Sequence, residues 1–132
     1  MTFTEAAQYY YNTFDMNCAE AVLHGANDVL SLGLKDEDYK LLGAFGAGCG
    51  CGSMCGAVAA VVAAIGRVNI GEKAHGSGAP EKAGVFIREI RKRFNAETCA
   101  ELHRQFHNKE QRCAVTIAKV TGVLDELWNE LH

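Results

Sequence analysis

Leu41 to Gly66 reads LLGAFGAGCGCGSMCGAVAAVVAAIG, 26 residues without a charge. How this stretch is read decides the fold. A transmembrane helix needs about 20 consecutive, predominantly apolar residues. Here the first half is mostly Gly and Cys, and the strongly apolar run Ala57–Ile65 is only nine residues long. The stretch therefore reads as a Gly-rich loop feeding a buried helix, and no membrane span is expected.

A helical reading extends outward in both directions. Nothing alternates apolar and polar residues with period two over a useful length, and the apolar spacing is helical nearly throughout. Helices are predicted over Thr4–Thr13, Cys18–Leu32, Asp36–Phe45, Met54–Val68, Glu81–Phe94, Cys99–His107 and Lys109–Leu131. Gly71–Ala79 (GEKAHGSGA) is the clearest loop, and Pro80 follows it at a helix start. A single Pro in 132 residues suits long uninterrupted helices. The chain is 48% hydrophobic, enough for one core. The expected fold is an all-α, compact, single-domain bundle of six to seven helices over residues 1–132, with a Gly/Cys-rich loop.

The formal net charge is −3. Without a basic excess, binding to nucleic acid through phosphates is not expected. Arg88, Glu89, Arg91, Lys92 and Arg93 read as a solvated helix face. Met1–Thr13 shows no basic start followed by an apolar run, so the expected compartment is a reducing cytosol. Cysteines there more often bind metal or react than form structural bridges.

Six cysteines stand out: Cys18, Cys49, Cys51, Cys55, Cys99 and Cys113. Asn17-Cys18-Ala19-Glu20 and Thr98-Cys99-Ala100-Glu101 share the form of a capping box, which puts Cys18 and Cys99 at the first position of their helices. Ser53 is a plausible cap that would place Cys55 at a second position, and Asn108 a cap that would place Cys113 in a second turn. Helix starts offer free N–H groups and the positive end of the dipole, both of which favour a thiolate. At about 100° per residue, Cys18 shares a face with Val22 and Gly25, and Cys55 with Val58, Ala59 and Val62. Cys99 lies on the side of Leu102 and Phe106, and Cys113 on that of Ile117, Val120 and Leu124. All four point toward the core. One inward cysteine is ordinary filler; four suggest a shared redox or metal site.

Gly48–Gly56 adds Cys49 and Cys51 to Cys55, three thiols within seven residues. Glycines let backbone N–H groups approach sulfur, as around iron–sulfur clusters. The spacing is CxCxxxC, and no CxxC occurs, so it matches neither a zinc ribbon nor a ferredoxin run. A rival set is Cys99, His103 and His107, spaced four apart along one helix side and able in principle to bind zinc or a haem iron; a boundary His pair is the plainer reading. No GxSxG elbow or phosphate-binding glycine motif occurs. Tyr9-Tyr10-Tyr11 reads as the edge of an amphipathic helix.

Cys18, Cys55, Cys99 and Cys113, in this order, resemble a bacterial and archaeal family of redox-active proteins named for its C…GCAxxG…C…C pattern, with a central CGAxxG motif. The matching pieces are Asn17-Cys18-Ala19-Glu20-Ala21-Val22, the Gly-rich run before Cys55-Gly56-Ala57, Cys99-Ala100-Glu101-Leu102, and Cys113. The resemblance implies a small helical protein with four key cysteines and an electron-transfer or redox role. The family's module is also similar to the part of split-Soret cytochromes thought to hold an iron–sulfur cluster. Two departures stand out: Ala60 replaces the last glycine of CGAxxG, and Cys49 and Cys51 are additional. The leading expectation is an iron–sulfur cluster on the four cysteines, serving electron transfer with a redox partner protein. The alternatives are a thiol–disulfide redox protein using Cys55 with Cys51 or Cys49, a structural zinc protein, and a cofactor-free helical module with inert core cysteines.

Overall fold

A computed structural model describes residues 1–132. Seven α-helices follow one another: α1 (Phe3–Thr13), α2 (Cys18–Leu30), α3 (Asp36–Gly43), α4 (Gly56–Asn69), α5 (Ala79–Phe94), α6 (Cys99–Phe106) and α7 (Ala114–Leu127). A single π-type turn, Gly48–Gly52, lies between α3 and α4, and a 3-10 turn, Trp128–Glu130, follows α7. There is no sheet, only two isolated bridges, Met54–Thr98 and Asn108–Arg112. The all-α bundle agrees with the helical periodicity.

Local chemistry sets where the helices start. Thr2, Asn17 and Thr98 each accept a hydrogen bond from the backbone N–H of a glutamate three residues on, and that glutamate's carboxylate accepts from the cap's own N–H. Four predicted starts shift: α1 and α5 begin slightly earlier, at Phe3 and Ala79, and two others begin later. The helix placed from Met54 begins at Gly56, with Cys55 rather than Ser53 as its cap, because Met54 is held in the bridge to Thr98. The helix placed from Lys109 begins at Ala114. Residues 108–112 close instead into a turn in which the N–H groups of Gln111 and Arg112 donate to the Asn108 side chain and carbonyl, both at 2.7 Å. Arg112 takes a left-handed conformation there (φ 53°), so Asn108 caps a turn and Cys113 caps α7. Four ends also come earlier than predicted. α2 stops at Leu30 because Ser31 turns left-handed, and α3 stops at Gly43 rather than Phe45. α6 stops at Phe106 rather than His107, and α7 at Leu127 rather than Leu131, where a 3-10 turn takes over.

α4 lies at the centre, against α2, α5, α7 and α3. Gly56 through Val61, Ala64 and Ile65 are all buried. Its 14 residues span about 21 Å at 1.5 Å per residue, well short of a hydrocarbon core of roughly 30 Å. No helix is long and apolar enough to cross a membrane. Small residues set the spacing of α1 and α2: a Cβ on Gly25 would lie 2.7 Å from the Ala7 nitrogen. α5 buries Phe86 and Ile90 and leaves Arg91 and Lys92 exposed. Arg93 pairs with Glu89 at 2.8 Å and with Glu126 of α7.

A line of polar contacts joins α1 to α7. Asp125 accepts from the N–H groups of Phe3 (2.7 Å) and Thr4 (3.2 Å) and from the Thr4 hydroxyl (2.7 Å), which satisfies first-turn donors of α1. The buried Thr121 hydroxyl lies 3.0 Å from that of Thr4. Gln8 donates to the Ala114 carbonyl at 2.7 Å. The Tyr11 hydroxyl accepts from the Cys113 N–H at 3.2 Å. Each contact is a partly or fully desolvated polar pair, so the register between the two helices is fixed as well as stabilised. Its last rung delivers Tyr11 to Cys113.

Candidate functional site

Cys18 and Cys99 open α2 and α6; Cys55 and Cys113 cap α4 and α7. Four helix N-termini each carry a cysteine, and all four cysteines line one cavity of about 570 Å³. Cys55 is buried and the other three are half-buried, and none is in a disulfide.

The Gly-rich segment is what lets these starts meet. The Met54–Thr98 bridge sets side by side the residues just before Cys55 and Cys99. The Cys99 N–H donates to the Ser53 carbonyl at 2.6 Å, and the Ser53 N–H to the Gly48 carbonyl at 2.8 Å. Gly48 sits so close to Cys99 that a Cβ there would collide with the Cys99 Cβ. At Gly56 a Cβ would lie 2.7 Å from the Cys18 Sγ and 3.0 Å from the Phe45 carbonyl oxygen. Two of the glycines therefore mark places where a site cysteine occupies the volume a side chain would need. Asn17 contributes twice: its Oδ1 accepts from Glu20 N–H at 3.0 Å, and its Nδ2 donates to the Gly43 carbonyl at 2.9 Å. The start of α2 is thereby tied to the end of α3.

Electrostatically the cavity opposes ionisation. Burial pushes the Cys18 thiol up to about 12, and the sulfurs of Cys55, Cys113 and Cys99 push it in the same direction. Burial also raises Cys55, against the pull of the Val58 and Ala57 N–H groups, and it raises Cys99. Cys113 is raised by burial, while the Tyr11 hydroxyl and the Arg112 guanidinium act in the opposite sense. Desolvation thus outweighs the helix termini. Without a cation the site holds neutral thiols, and each thiolate formed makes the next harder to form.

Other predicted residues fall into place around this cavity. Cys49 and Cys51 are exposed on the π-type turn and do not line it. His103 and His107 do line it, with rings stacked at 3.9 Å; His107 is the C-cap of α6 rather than part of its last turn. No three Cys, His, Asp or Glu side chains are gathered as a single bound metal ion requires, and this includes Cys99 with the two histidines. The donor chemistry is another matter. Four thiols around one cavity are the ligand type of an iron–sulfur cluster.

Sequence reasoning passed over Tyr11 and Arg112, which also line the cavity. Tyr11 is buried, not an edge residue, and Arg112 lies over its ring at 4.9 Å. A signal for Tyr11 existed: it shares the i, i+4, i+8 face of the buried Phe3 and Ala7. The left-handed turn that brings Arg112 over it has no such signal.

The model of a family described as "Putative redox-active protein (C_GCAxxG_C_C)" matches residues 16–127. The chain belongs to that family. All six cysteines lie inside the matched segment; Tyr11 lies outside it, on α1. No curated protein and no solved structure matches the chain. As a family member it is a redox-active protein.

Proposed function

We propose that Cys18, Cys55, Cys99 and Cys113 hold an iron–sulfur cluster in this cavity and that the protein carries electrons to or from a redox partner protein. The observation that carries this reading is the meeting of four helix N-terminal cysteines on one space of about 570 Å³. A single tetrahedral ion would need its sulfurs within about 2.3 Å of one point, and no such group is gathered. A cluster of several irons spaces its ligands more widely, which suits thiols distributed around a cavity. Such a cluster supplies a one-electron couple whose potential depends on burial and on hydrogen bonds to sulfur.

The residues of the chain have defined parts in this. The four cysteines give up their protons on loading, so loading is expected to be pH-dependent and to release protons. Burial keeps them protonated beforehand. The N–H groups of Ala57 and Val58 face Cys55, and the Ala19 N–H faces Cys18; these offset the negative charge of the ligand set. Tyr11 and Arg112 do the same for Cys113.

The test is iron and acid-labile sulfide analysis, with a visible spectrum, on protein made and purified without oxygen. Iron and sulfide in equal amounts, with charge-transfer bands lost in Cys18→Ala and Cys113→Ala, is the expected result. Zinc alone would replace this reading with a structural metal site. Absence of any metal from the anaerobic protein would overturn it.

A further inference from the structure

Cys49 and Cys51 do not line the cavity, though Cys49 lies near enough to Cys99 to push that thiol up. Both are exposed, both are free thiols, and only Gly50 separates them. Gly50 lies in the left-handed turn region (φ 75°, ψ 1°), as does Cys49 itself (φ 60°, ψ 32°). A non-glycine residue rarely adopts that region, and such outliers concentrate at functional sites. The consequence here is geometric. A disulfide joins Cα atoms roughly 4.4–6.8 Å apart. A turn at Gly50 doubles the chain back and brings the Cα atoms of Cys49 and Cys51 inside that window, where an extended spacer would hold them at or beyond its upper edge.

The surroundings differ from those of the four cavity cysteines. The Ser53 N–H closes the turn on the Gly48 carbonyl (2.8 Å), and the turn is hung from the body of the protein by the Cys49 N–H to the Phe45 carbonyl (3.2 Å) and the Cys99 N–H to the Ser53 carbonyl (2.6 Å). Between these anchors the two thiols face solvent. They are not equivalent. The Cys51 thiol donates a weak hydrogen bond to the Gly48 carbonyl at 3.7 Å, whereas the Cys49 sulfur has no hydrogen-bond partner. Thiol–disulfide exchange requires access above all, because the attacking sulfur must approach the disulfide in line.

We propose that Cys49 and Cys51 form a second redox site, a surface dithiol that exchanges with low-molecular-weight disulfides. Cys49 attacks and Cys51 resolves. In the first step the Cys49 thiol gives its proton to solvent, and its sulfur bonds to one sulfur of the disulfide RSSR. The S–S bond breaks, and one RS⁻ leaves with the electron pair and is protonated. In the second step Cys51 loses its proton and attacks the Cys49 sulfur of the mixed disulfide. The Cys49–Cys51 bridge forms, and the second RS⁻ leaves and is protonated. Two thiols are oxidised to one disulfide, and RSSR is reduced to two RSH. Neither step uses the cavity cysteines, so this proposal does not depend on the cluster reading.

The experiment treats the full-length reduced protein, purified without oxygen, with oxidised glutathione and follows free thiol release and peptide masses. The expected bridge is Cys49–Cys51. Cys51→Ser is expected to halt after the first step, with glutathione trapped on Cys49. The double variant C49S/C51S is expected to exchange about tenfold or more slowly, since only half-buried and buried thiols remain. Its iron content and visible spectrum are expected to match the parent protein. A bridge mapped to Cys49–Cys99 or within the cavity set would overturn the assignment, as would exchange by the double variant at the parent rate. Loss of iron in the double variant would overturn it too, by making these cysteines cluster ligands. Failure of the parent protein to bind iron would overturn the cluster reading and leave the bridge assignment to be decided by the mapped masses.

Discussion

Gly56→Ala and Gly66→Ala place the same methyl group in the same helix with opposite expected results. At Gly66 the nearest atom to an added Cβ is the Ile70 Cδ1 at 3.6 Å, an ordinary contact. Alanine there removes a helical glycine and is expected to stabilise by about 0.5–1 kcal/mol. At Gly56 the Cβ meets the Cys18 Sγ at 2.7 Å, the Phe45 carbonyl oxygen at 3.0 Å and the Ala19 Cβ at 3.2 Å. Two of these neighbours are backbone or Cβ atoms and cannot move alone, so the Cys18 sulfur must rotate. Overpacking of this kind costs about 1–3 kcal/mol. Subtracting the gain from helix propensity leaves a net loss of about 0–2.5 kcal/mol, about 1 kcal/mol at the middle of the two ranges. For a chain of 132 residues, each kcal/mol moves Tm by about 3–5 °C. Thermal unfolding of the metal-free proteins measures both variants, and iron loading of Gly56→Ala measures whether Cys18 has left its place. A Gly56→Ala protein as stable as Gly66→Ala, with full iron loading, would refute both the contact and the role given to Cys18.

Gly25→Ala is expected to cost about 2–3 kcal/mol, because its Cβ would meet the backbone of α1 at Ala7 and Ala6 and no side chain can yield; chemical denaturation checks this. Asp125→Ala removes the acceptor for Phe3 N–H, Thr4 N–H and the Thr4 hydroxyl and is expected to destabilise by about 2–3 kcal/mol, with hydrogen exchange accelerating first in α1. In the reduced, metal-free protein, burial holds the Cys18 thiol up at about 12, against an ordinary value of 9.0. The folded state therefore keeps a proton that the unfolded state has lost. Stability is fully present below pH 9, falls as pH rises from 9 toward 12, and falls faster because Cys55, Cys99 and Cys113 are raised as well. Urea titrations at pH 8 and pH 10 test the sign, and equal midpoints would contradict it. Alkylation at pH 8 is expected to modify Cys49 and Cys51 before Cys18 and Cys55.

Much of this protein is written locally. A helix period, a cap three residues before a glutamate, and an uncharged stretch too short in its apolar part for a membrane are all properties of neighbours along the chain. Those signals placed Cys18 and Cys99 at the first positions of their helices, as found, and turned four cysteines inward. Other features depend on contacts between segments far apart in sequence. The bridge from Met54 to Thr98 moved the start of α4 and made Cys55 a cap. The turn at residues 108–112 did the same for Cys113. The α1–α7 register brought Tyr11, 102 residues away, to the Cys113 N–H. Periodicity gives the direction in which a side chain leaves its helix, but not how far two helix ends lie from each other. The sequence by itself therefore determined an all-α chain with inward cysteines. Only the tertiary packing decided that four helix starts share one cavity while Cys49 and Cys51 do not line it, because that arrangement arises from the close approach of Gly48 and Gly56 to the side chains of Cys99 and Cys18, far away in sequence, which no local pattern encodes.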